Sequence, residues 1–266
     1  MNQATGLDHV GIVGRDLPTL AAAFDAMGFY LTPLARHAGG RTGNRCAIFA
    51  EGGYLELMST IDGGTSATLE KFLARHVGAH TLALGMENEA AVKTRLRRAW
   101  GTAPDVSHTD RAVDDNDPDG PRVRFSLLRP PDRPEGRVYL VHHETPDALW
   151  QTRFLRHPNN VIALHEVVLS VPEPAVTAAW YSQLTGRPVL PDPAGGFAVA
   201  LGHGRVRLAP PGSFAAPDPP SIAEIALRTA DANRAIRALV HAGGYAYTVA
   251  DDDIKLQIGG VTIRFV

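Results

Sequence analysis

The stretch HVGIVGRDLPTLAAAFDAMGF, residues 9–29, contains the pattern that decides the fold. It opens with a run of β-branched and apolar residues that is typical of a strand. Asp16 can cap the helix that follows, because its carboxylate accepts from amides that have no helical partner. Leu17, Leu20 and Phe24 then recur at helical spacing, and Gly28 ends the helix. The stretch therefore predicts a strand followed by an amphipathic helix.

The same pattern returns three more times along the chain. The later copies open on His80, His165 and Glu224, at successive intervals of 71, 85 and 59 residues after His9. Each copy has a strand, a helix closed by glycine and then short strands, which is the signature of an internal repeat. We therefore predict four βαβββ units, with helices near residues 17–27, 88–100, 173–185 and 231–242.

Two segments interrupt this repeat. Residues 108–135 are rich in Asp, Pro, Gly and Arg, which indicates an extended excursion from the second unit around one strand near residues 123–127. Residues 145–160 link the two halves of the chain, and we expect part of them, residues 147–154, to be helical. The sequence thus predicts two domains, which we call module pair 1 (residues 1–150) and module pair 2 (residues 160–266).

The composition is that of an ordinary globular protein, with 44% hydrophobic and 20% charged residues. A net charge of -2, with both signs interspersed, gives no support for a nucleic-acid or membrane partner. The chain opens without a basic-then-apolar leader, and its one cysteine, Cys46, fits a reducing compartment. We expect a cytoplasmic protein with a small-molecule substrate or ligand. Because each pair of units can form within one chain, it can be a monomer or a homodimer.

Six short motifs accompany the repeat. They lie near the ends of the predicted strands and helices, and together they span most of module pair 1 and the linker. In one-letter code they are LDHV at residues 7–10, GF at 28–29, RH at 36–37, YLEL at 54–57, HETP at 143–146 and HPN at 157–159.

Paired βαβββ units with these motifs resemble the vicinal oxygen chelate superfamily, which includes glyoxalase I, extradiol dioxygenases and bleomycin-resistance proteins. Within it, the chain looks like the glyoxalase-like domain branch. The resemblance implies an α+β fold in which the units pair into two cupped mixed sheets with helices outside. It also implies metal ligands on the first and last strands of each unit.

In module pair 1 the resemblance assigns four ligand positions. The first strands offer His9 and His80, and the last strand of the first unit offers Glu56. The last strand of the second unit ends in His142 and His143, of which a regular strand can turn only one into the cup. The turn motif favours His143, and strict alternation favours His142. The implied ligands are His9, Glu56, His80 and His143, with Glu56 also as the catalytic residue.

These donors suit zinc, iron(II), manganese or nickel, because two histidines and a carboxylate leave positions open for a bidentate oxygen substrate. Each residue also has an ordinary structural explanation. A histidine that opens a strand can simply form a hydrogen bond, and Glu56 can pair with an arginine such as Arg124 instead of an ion. We expect Arg36, His37 and His157 to shape loops.

Module pair 2 offers a different set of residues. His165 and Glu224 occupy its first-strand positions, but the last strands carry Arg207 and Arg264. Permanent positive charges would repel a cation, so we expect any site in this half to hold an anion or nothing.

The sequence leaves two functions open. One is a metal-dependent lyase, isomerase or dioxygenase that acts on a small oxygen-bearing substrate. The alternative is a metal-free protein of the bleomycin-resistance type, which binds or sequesters a small molecule. Three or more polar groups that converge in the cup favour the enzyme, and one or two favour the binding protein.

Overall fold

The computed structural model describes residues 2–213, 220–230, 234–250 and 253–266. Two eight-stranded sheets follow one another along the chain, and the helices lie outside them. In module pair 1 the strands are β1 (Ala4–Val13), β2 (Ala35–Arg36), β3 (Thr42–Ile48), β4 (Tyr54–Thr60), β5 (Gly78–Met86), β6 (Asp105–Ala112), β7 (Arg122–Arg129) and β8 (Arg137–His143). Its helices are α1 (Leu17–Ala26), α2 (Ala67–Leu73), α3 (Glu89–Trp100) and α4 (Pro146–Leu149).

Module pair 2 repeats this order without counterparts of α2 and α4 in its described residues. Its helices are α5 (Pro174–Thr185) and α6 (Arg234–Gly243). Its strands are β9 (Val161–Ser170), β10 (Val189–Pro191), β11 (Phe197–Ala200), β12 (Arg205–Ala209), β13 (Ser221–Thr229), β14 (Tyr247–Ala250), β15 (Asp253–Ile258) and β16 (Val261–Phe265).

Both sheets have the same mixed topology. The first runs β2-β3-β4-β1-β5-β8-β7-β6, and the second runs β10-β11-β12-β9-β13-β16-β15-β14. At the centre of the first sheet β1 pairs in parallel with β4 and antiparallel with β5, and β9 pairs in the same way with β12 and β13. The predicted α+β fold of paired βαβββ units is confirmed.

Local sequence signals account for the helices. The side chain of Asp16 caps α1 by accepting from the amide of Thr19 at 2.9 Å, as its position before the helix predicted. Gly101 and Gly186 follow α3 and α5 in the left-handed conformation that ends a helix. The fourth predicted helix agrees with α6 from residue 234 onward, and residues 231–233 lie outside the described part of the chain.

Two predictions about the interrupting segments were right only in part: the strand expected near residues 123–127 is β7, but the rest of that segment differs. Residues 108–135 do not leave the sheet, because they contain most of the antiparallel hairpin formed by β6 and β7. β6 is an edge strand without a buried residue, so it lacks the apolar pattern that reveals a strand. The helix expected at residues 147–154 consists of two short pieces, α4 and a 3₁₀ turn at Thr152–Phe154.

The two halves share one hydrophobic core, which contains buried residues of both sheets. Backbone hydrogen bonds also join the two halves. The amide of Leu7 donates to the carbonyl of His203 at 3.1 Å, and the amide of Leu164 donates to the carbonyl of Gly52 at 3.0 Å. Gly6 permits this approach, because a Cβ there would lie 2.0 Å from the ring of His203. No helix in the described ranges is long and apolar enough to cross a membrane.

Candidate functional site

The concave face of the first sheet encloses a cavity of about 330 Å³, a volume suited to a small molecule. We call this face, together with its cavity, the first cup. Strands β1 and β3 to β8 contribute to its lining, and α2 lies at one side. The lining combines apolar side chains with imidazole, carboxylate, hydroxyl and guanidinium groups.

Glu56 is the centre of the polar end of the cup. It lies on β4, and its side chain is 13% exposed. Its Oε1 is 3.3 Å from Nε2 of His37 and also accepts from the side-chain amide of Asn44, while its Oε2 is 3.7 Å from Nε2 of His9. Burial alone would raise the pKa of Glu56, but these neighbours lower it to about 2. Glu56 is therefore ionised at neutral pH.

His9 is oriented by the residue that precedes it. Its Nδ1 lies 2.7 Å from Oδ1 of Asp8, which is buried, and its ring stacks on Tyr54 at 4.5 Å between centroids. Neighbours on a regular strand face opposite sides, but the pairing of β1 with β5 is irregular between Leu7 and His9. Because an ionised carboxylate only accepts, Nδ1 donates to Asp8 and Nε2 is directed toward Glu56.

Electrostatics supports the ionised state of Asp8. Burial alone would raise the pKa of Asp8, but its contacts with His143 and His9 bring it well below the usual range. Burial alone would lower the pKa of His9, yet the hydrogen bond to Asp8 and the charges of Asp8 and Glu56 raise it. Asp8 is therefore an anion that holds two imidazoles.

His143, the favoured fourth ligand, lies behind His9 rather than beside Glu56. Its Nε2 is 3.0 Å from Oδ2 of Asp8, and its ring meets that of Trp150 edge-on at 5.1 Å. Within the described structure its buried Nδ1 has no hydrogen-bond partner. His142 turns away, with Nδ1 3.2 Å from the carbonyl of Met86. His143 thus reaches His9 only through Asp8.

The structure does not bring His80 to Glu56. His80 stacks on Phe72 at 4.8 Å, and its Nε2 lies 2.8 Å from the carbonyl oxygen of His76. Its neighbour Thr81 lines the cup instead, because the register pairs Thr81 with Gly11 and Ala83 with His9. The alignment of His80 with His9 was displaced by one residue, which reverses the face on which a side chain lies.

Sequence reasoning missed His37 and Asn44. We expected His37 to shape a loop, but its Nδ1 contacts Thr42 at 2.8 Å and its Nε2 approaches Glu56. Asn44 is a buried amide on β3, and such a polar residue among apolar neighbours is the signal that could have revealed it. His157 is structural: its Nδ1 accepts from the amide of Tyr30 at 3.0 Å.

The donors of the first cup contact one another. In the part of the chain that the structure describes, no three His, Cys, Asp or Glu side chains form a ready metal site. The donor types still fit a divalent metal, since His9 and His37 direct Nε2 atoms toward the carboxylate of Glu56. Asn44 adds a buried Oδ1 that has no partner among the described atoms.

The second sheet fills the equivalent face, the second cup, with its own ion pairs. Glu166 and Glu224 are buried, and Arg264 binds both at 2.6 Å. Arg205 also pairs with Glu166. The sequence placed His165 in this position, but His165 is exposed and its neighbour Glu166 faces the cup.

Comparison with known proteins agrees with this architecture. Residues 7–185 match the family model Glyoxalase_3, described as a glyoxalase-like domain. The chain belongs to this glyoxalase-like family. No curated protein resembles the sequence closely enough to count as a relative.

Several solved structures share the fold of this glyoxalase-like protein. A hypothetical protein from Staphylococcus aureus is 14% identical, with a TM-score of 0.69 and coverage of 98% of both chains. An Mn(II)-bound glyoxalase from Novosphingobium aromaticivorans is 12% identical, with a TM-score of 0.57 over 100% of this chain and 82% of that one. A catechol 2,3-dioxygenase is 12% identical, with a TM-score of 0.59 over 99% of this chain and 87% of that one. These likenesses show a shared fold, and the match to the glyoxalase-like family model agrees with the vicinal oxygen chelate superfamily.

Proposed function

We propose that this glyoxalase-like protein is a metal-dependent enzyme, a lyase, isomerase or dioxygenase, that acts on a small oxygen-bearing substrate in the first cup. The observation that carries the proposal is the approach of His9 and His37 to the ionised carboxylate of Glu56, at 3.7 and 3.3 Å, in the lining of the cavity. More than three polar side chains line this part of the cavity, and three or more such groups favour an enzyme over a binding protein.

His9, His37 and Glu56 would hold zinc, iron(II), manganese or nickel. His37 takes the place in the ligand set that the sequence gave to His80, and His143 acts through Asp8. The ion would supply Lewis-acid polarisation of a carbonyl or hydroxyl oxygen. A divalent metal is compatible with the fold, because the structural neighbour from Novosphingobium aromaticivorans is Mn(II)-bound.

The remaining residues prepare the site for such chemistry. Asp8 keeps the proton of His9 on Nδ1, so that Nε2 stays available as a donor atom. Glu56 stays ionised because its pKa is about 2, so its role is that of a charged ligand rather than a proton acceptor. Phe125 and Leu127 add apolar surface to the lining of the cavity.

A metal-free binding protein is the alternative, and one observation favours it. Glu56 already has two imidazoles and the amide of Asn44 around it, so its charge is compensated without an ion. In that case the same histidines only form hydrogen bonds with a bound molecule.

Metal analysis distinguishes the two functions. The protein is purified without chelator or nickel resin and titrated calorimetrically with Mn²⁺, Fe²⁺ and Zn²⁺. We expect one ion per chain, with binding lost in Glu56→Gln and His9→Ala and weakened in His37→Ala. His165→Ala is the matched control, because this histidine is exposed in the other half.

Each variant is also unfolded thermally to confirm that it retains the fold. Wild-type protein that binds none of the three ions, but still binds small molecules, would establish the binding protein instead.

A further inference from the structure

The lining of the first cup has an excess of positive charge. Among the described residues that line it, Glu56 is the one carboxylate, whereas Arg111, Arg129 and Arg137 contribute three guanidiniums. Arg137 is neutralised by Asp132, which it binds through two hydrogen bonds of 2.9 and 3.0 Å. Arg111 and Arg129 are the two lining guanidiniums whose charge Asp132 does not neutralise through a hydrogen bond.

Neither of these two has a carboxylate partner within the described structure. Arg111, on β6, donates to the carbonyl of Ala112 at 3.2 Å. Arg129, on β7, lies over the ring of Tyr139 at 5.3 Å from the centroid. Arg111 is half-buried, whereas Arg129 is exposed at the rim. A half-buried cation without an anion carries a desolvation cost that a bound anion would relieve.

Arg111 lies at the same end of the cup as the proposed metal centre. It is close enough for its charge to oppose in part the rise in the pKa of Tyr54 that burial causes and the rise in the pKa of His9 that Asp8 and Glu56 cause. Arg111 therefore faces the polar end of the cavity, and an anionic group bound to it would lie beside the oxygens that the centre holds.

An apolar wall adjoins this charge. Met58, Leu69, Phe125 and Leu127 all line the cavity, and they come from three elements of the fold, β4, α2 and β7. A ligand that satisfies both features has a charged head and an apolar body, and the cavity of about 330 Å³ limits it to a small molecule.

We propose that the first cup binds a small organic carboxylate, with its carboxylate on Arg111 and its apolar body against Phe125 and Leu127. This inference rests on the proposed function for the location of the site and adds the class of substrate. The planar fork of a guanidinium matches a carboxylate with two parallel hydrogen bonds. Arg129 at the rim raises the local concentration of anions and so favours their entry.

The test compares acids with their uncharged amides. Binding of phenyllactate, phenylpyruvate and benzoate, and of the corresponding amides, is measured by calorimetry on metal-stripped protein. Each acid is expected to bind roughly 10- to 100-fold more tightly than its amide, the usual contribution of a hydrogen bond to a charged group. In Arg111→Gln this ratio is expected to fall to near one, with amide affinity unchanged.

Arg124→Gln is the matched control, because Arg124 is an exposed arginine of β7 that does not line the cavity. It should keep the full ratio. Equal binding of acids and amides, a ratio that survives Arg111→Gln, or failure of all three acids to bind would overturn the proposal.

Metal-stripped protein separates this inference from the proposed function. If the chain binds no metal but shows Arg111-dependent preference for acids, the substrate class holds and the metal-dependent reaction fails. If metal binds through Glu56 and acids show no advantage, the reverse is true.

Discussion

Arg264 is the residue whose loss should most weaken the second cup. Its guanidinium binds Glu224 and Glu166 at 2.6 Å and Asp253 at 2.7 Å. Glu166 and Glu224 are 0% and 1% exposed, so neither can be solvated if its partner is removed. Arg264→Met retains much of the apolar stem and deletes all three ion pairs.

The expected loss follows from what remains around the two buried carboxylates. Breaking a buried ion pair by removing one partner costs about 3–5 kcal/mol, because the other charge stays buried. Glu166 keeps Arg205, and Glu224 keeps Lys255 at 2.6 Å, so we expect the lower end, about 3 kcal/mol.

Urea denaturation at pH 7 measures this change as a lower unfolding midpoint with an unchanged slope. A second variant tests the cause. Adding Glu224→Gln to Arg264→Met removes one of the stranded charges, and the double variant should recover about 1–2 kcal/mol. Arg264→Met within 1 kcal/mol of the wild type, or a double variant that is less stable than the single one, would refute the reasoning.

Three further predictions concern the first half of the chain. Asp8→Asn should weaken metal binding about 10- to 100-fold in calorimetry, because His9 loses the partner that fixes its proton on Nδ1. Burial lowers the pKa of His80 from 6.5 to about 4, so the native state favours its neutral form. The stability that neutral His80 contributes to the folded protein is complete above about pH 6.5 and is lost as the pH falls toward 4. His80→Gln should reduce the stability difference between pH 7 and pH 4.5 by about 1–2 kcal/mol in urea denaturation, allowing for solvent screening. Cys46 is buried, which raises the pKa of its thiol far above the usual range, so a thiol reagent should modify it only after unfolding.

The fold could be predicted because its signals are local. Each unit opens with an apolar strand and a helix that is marked by its own residues, such as Asp16 at the start of α1 and Gly101 at the end of α3. The strand β6 was missed because an edge strand buries little and therefore needs no apolar alternation. The helix α2 was missed because it lies between the units, where the repeat predicts nothing.

The site could be predicted only in part. Glu56 was found because a carboxylate among apolar neighbours is anomalous, and His9 because it begins the first copy of the repeated sequence pattern. His80 was misplaced because an irregular register between Gly11 and Ile12 shifts β5 against β1, and no residue type announces that shift. His37 reaches Glu56 from the loop after β2, and a loop's path depends on tertiary contacts that sequence patterns do not encode.

The two cups differ at positions that the registers make equivalent. His9 pairs with Tyr54 and Ala83, whereas Glu166 pairs with Arg205 and Ala226. Glu56 and Arg207 correspond in the same way. Glu56 pairs with Gly11, two residues after His9, and Arg207 pairs with Val168, two residues after Glu166.

This exchange of charge explains why a metal site is proposed for the first cup and not for the second. In the second cup the first strands carry the carboxylates Glu166 and Glu224, and the guanidinium of Arg264 already supplies the positive charge between them. In the first cup the carboxylate comes from the last strand, and its neighbours are imidazoles, which bind a proton or a metal reversibly. The guanidinium is part of the chain and stays beside Glu166 and Glu224, so we expect the second cup to bind metal less well than the first, whose imidazoles can exchange a proton for an ion.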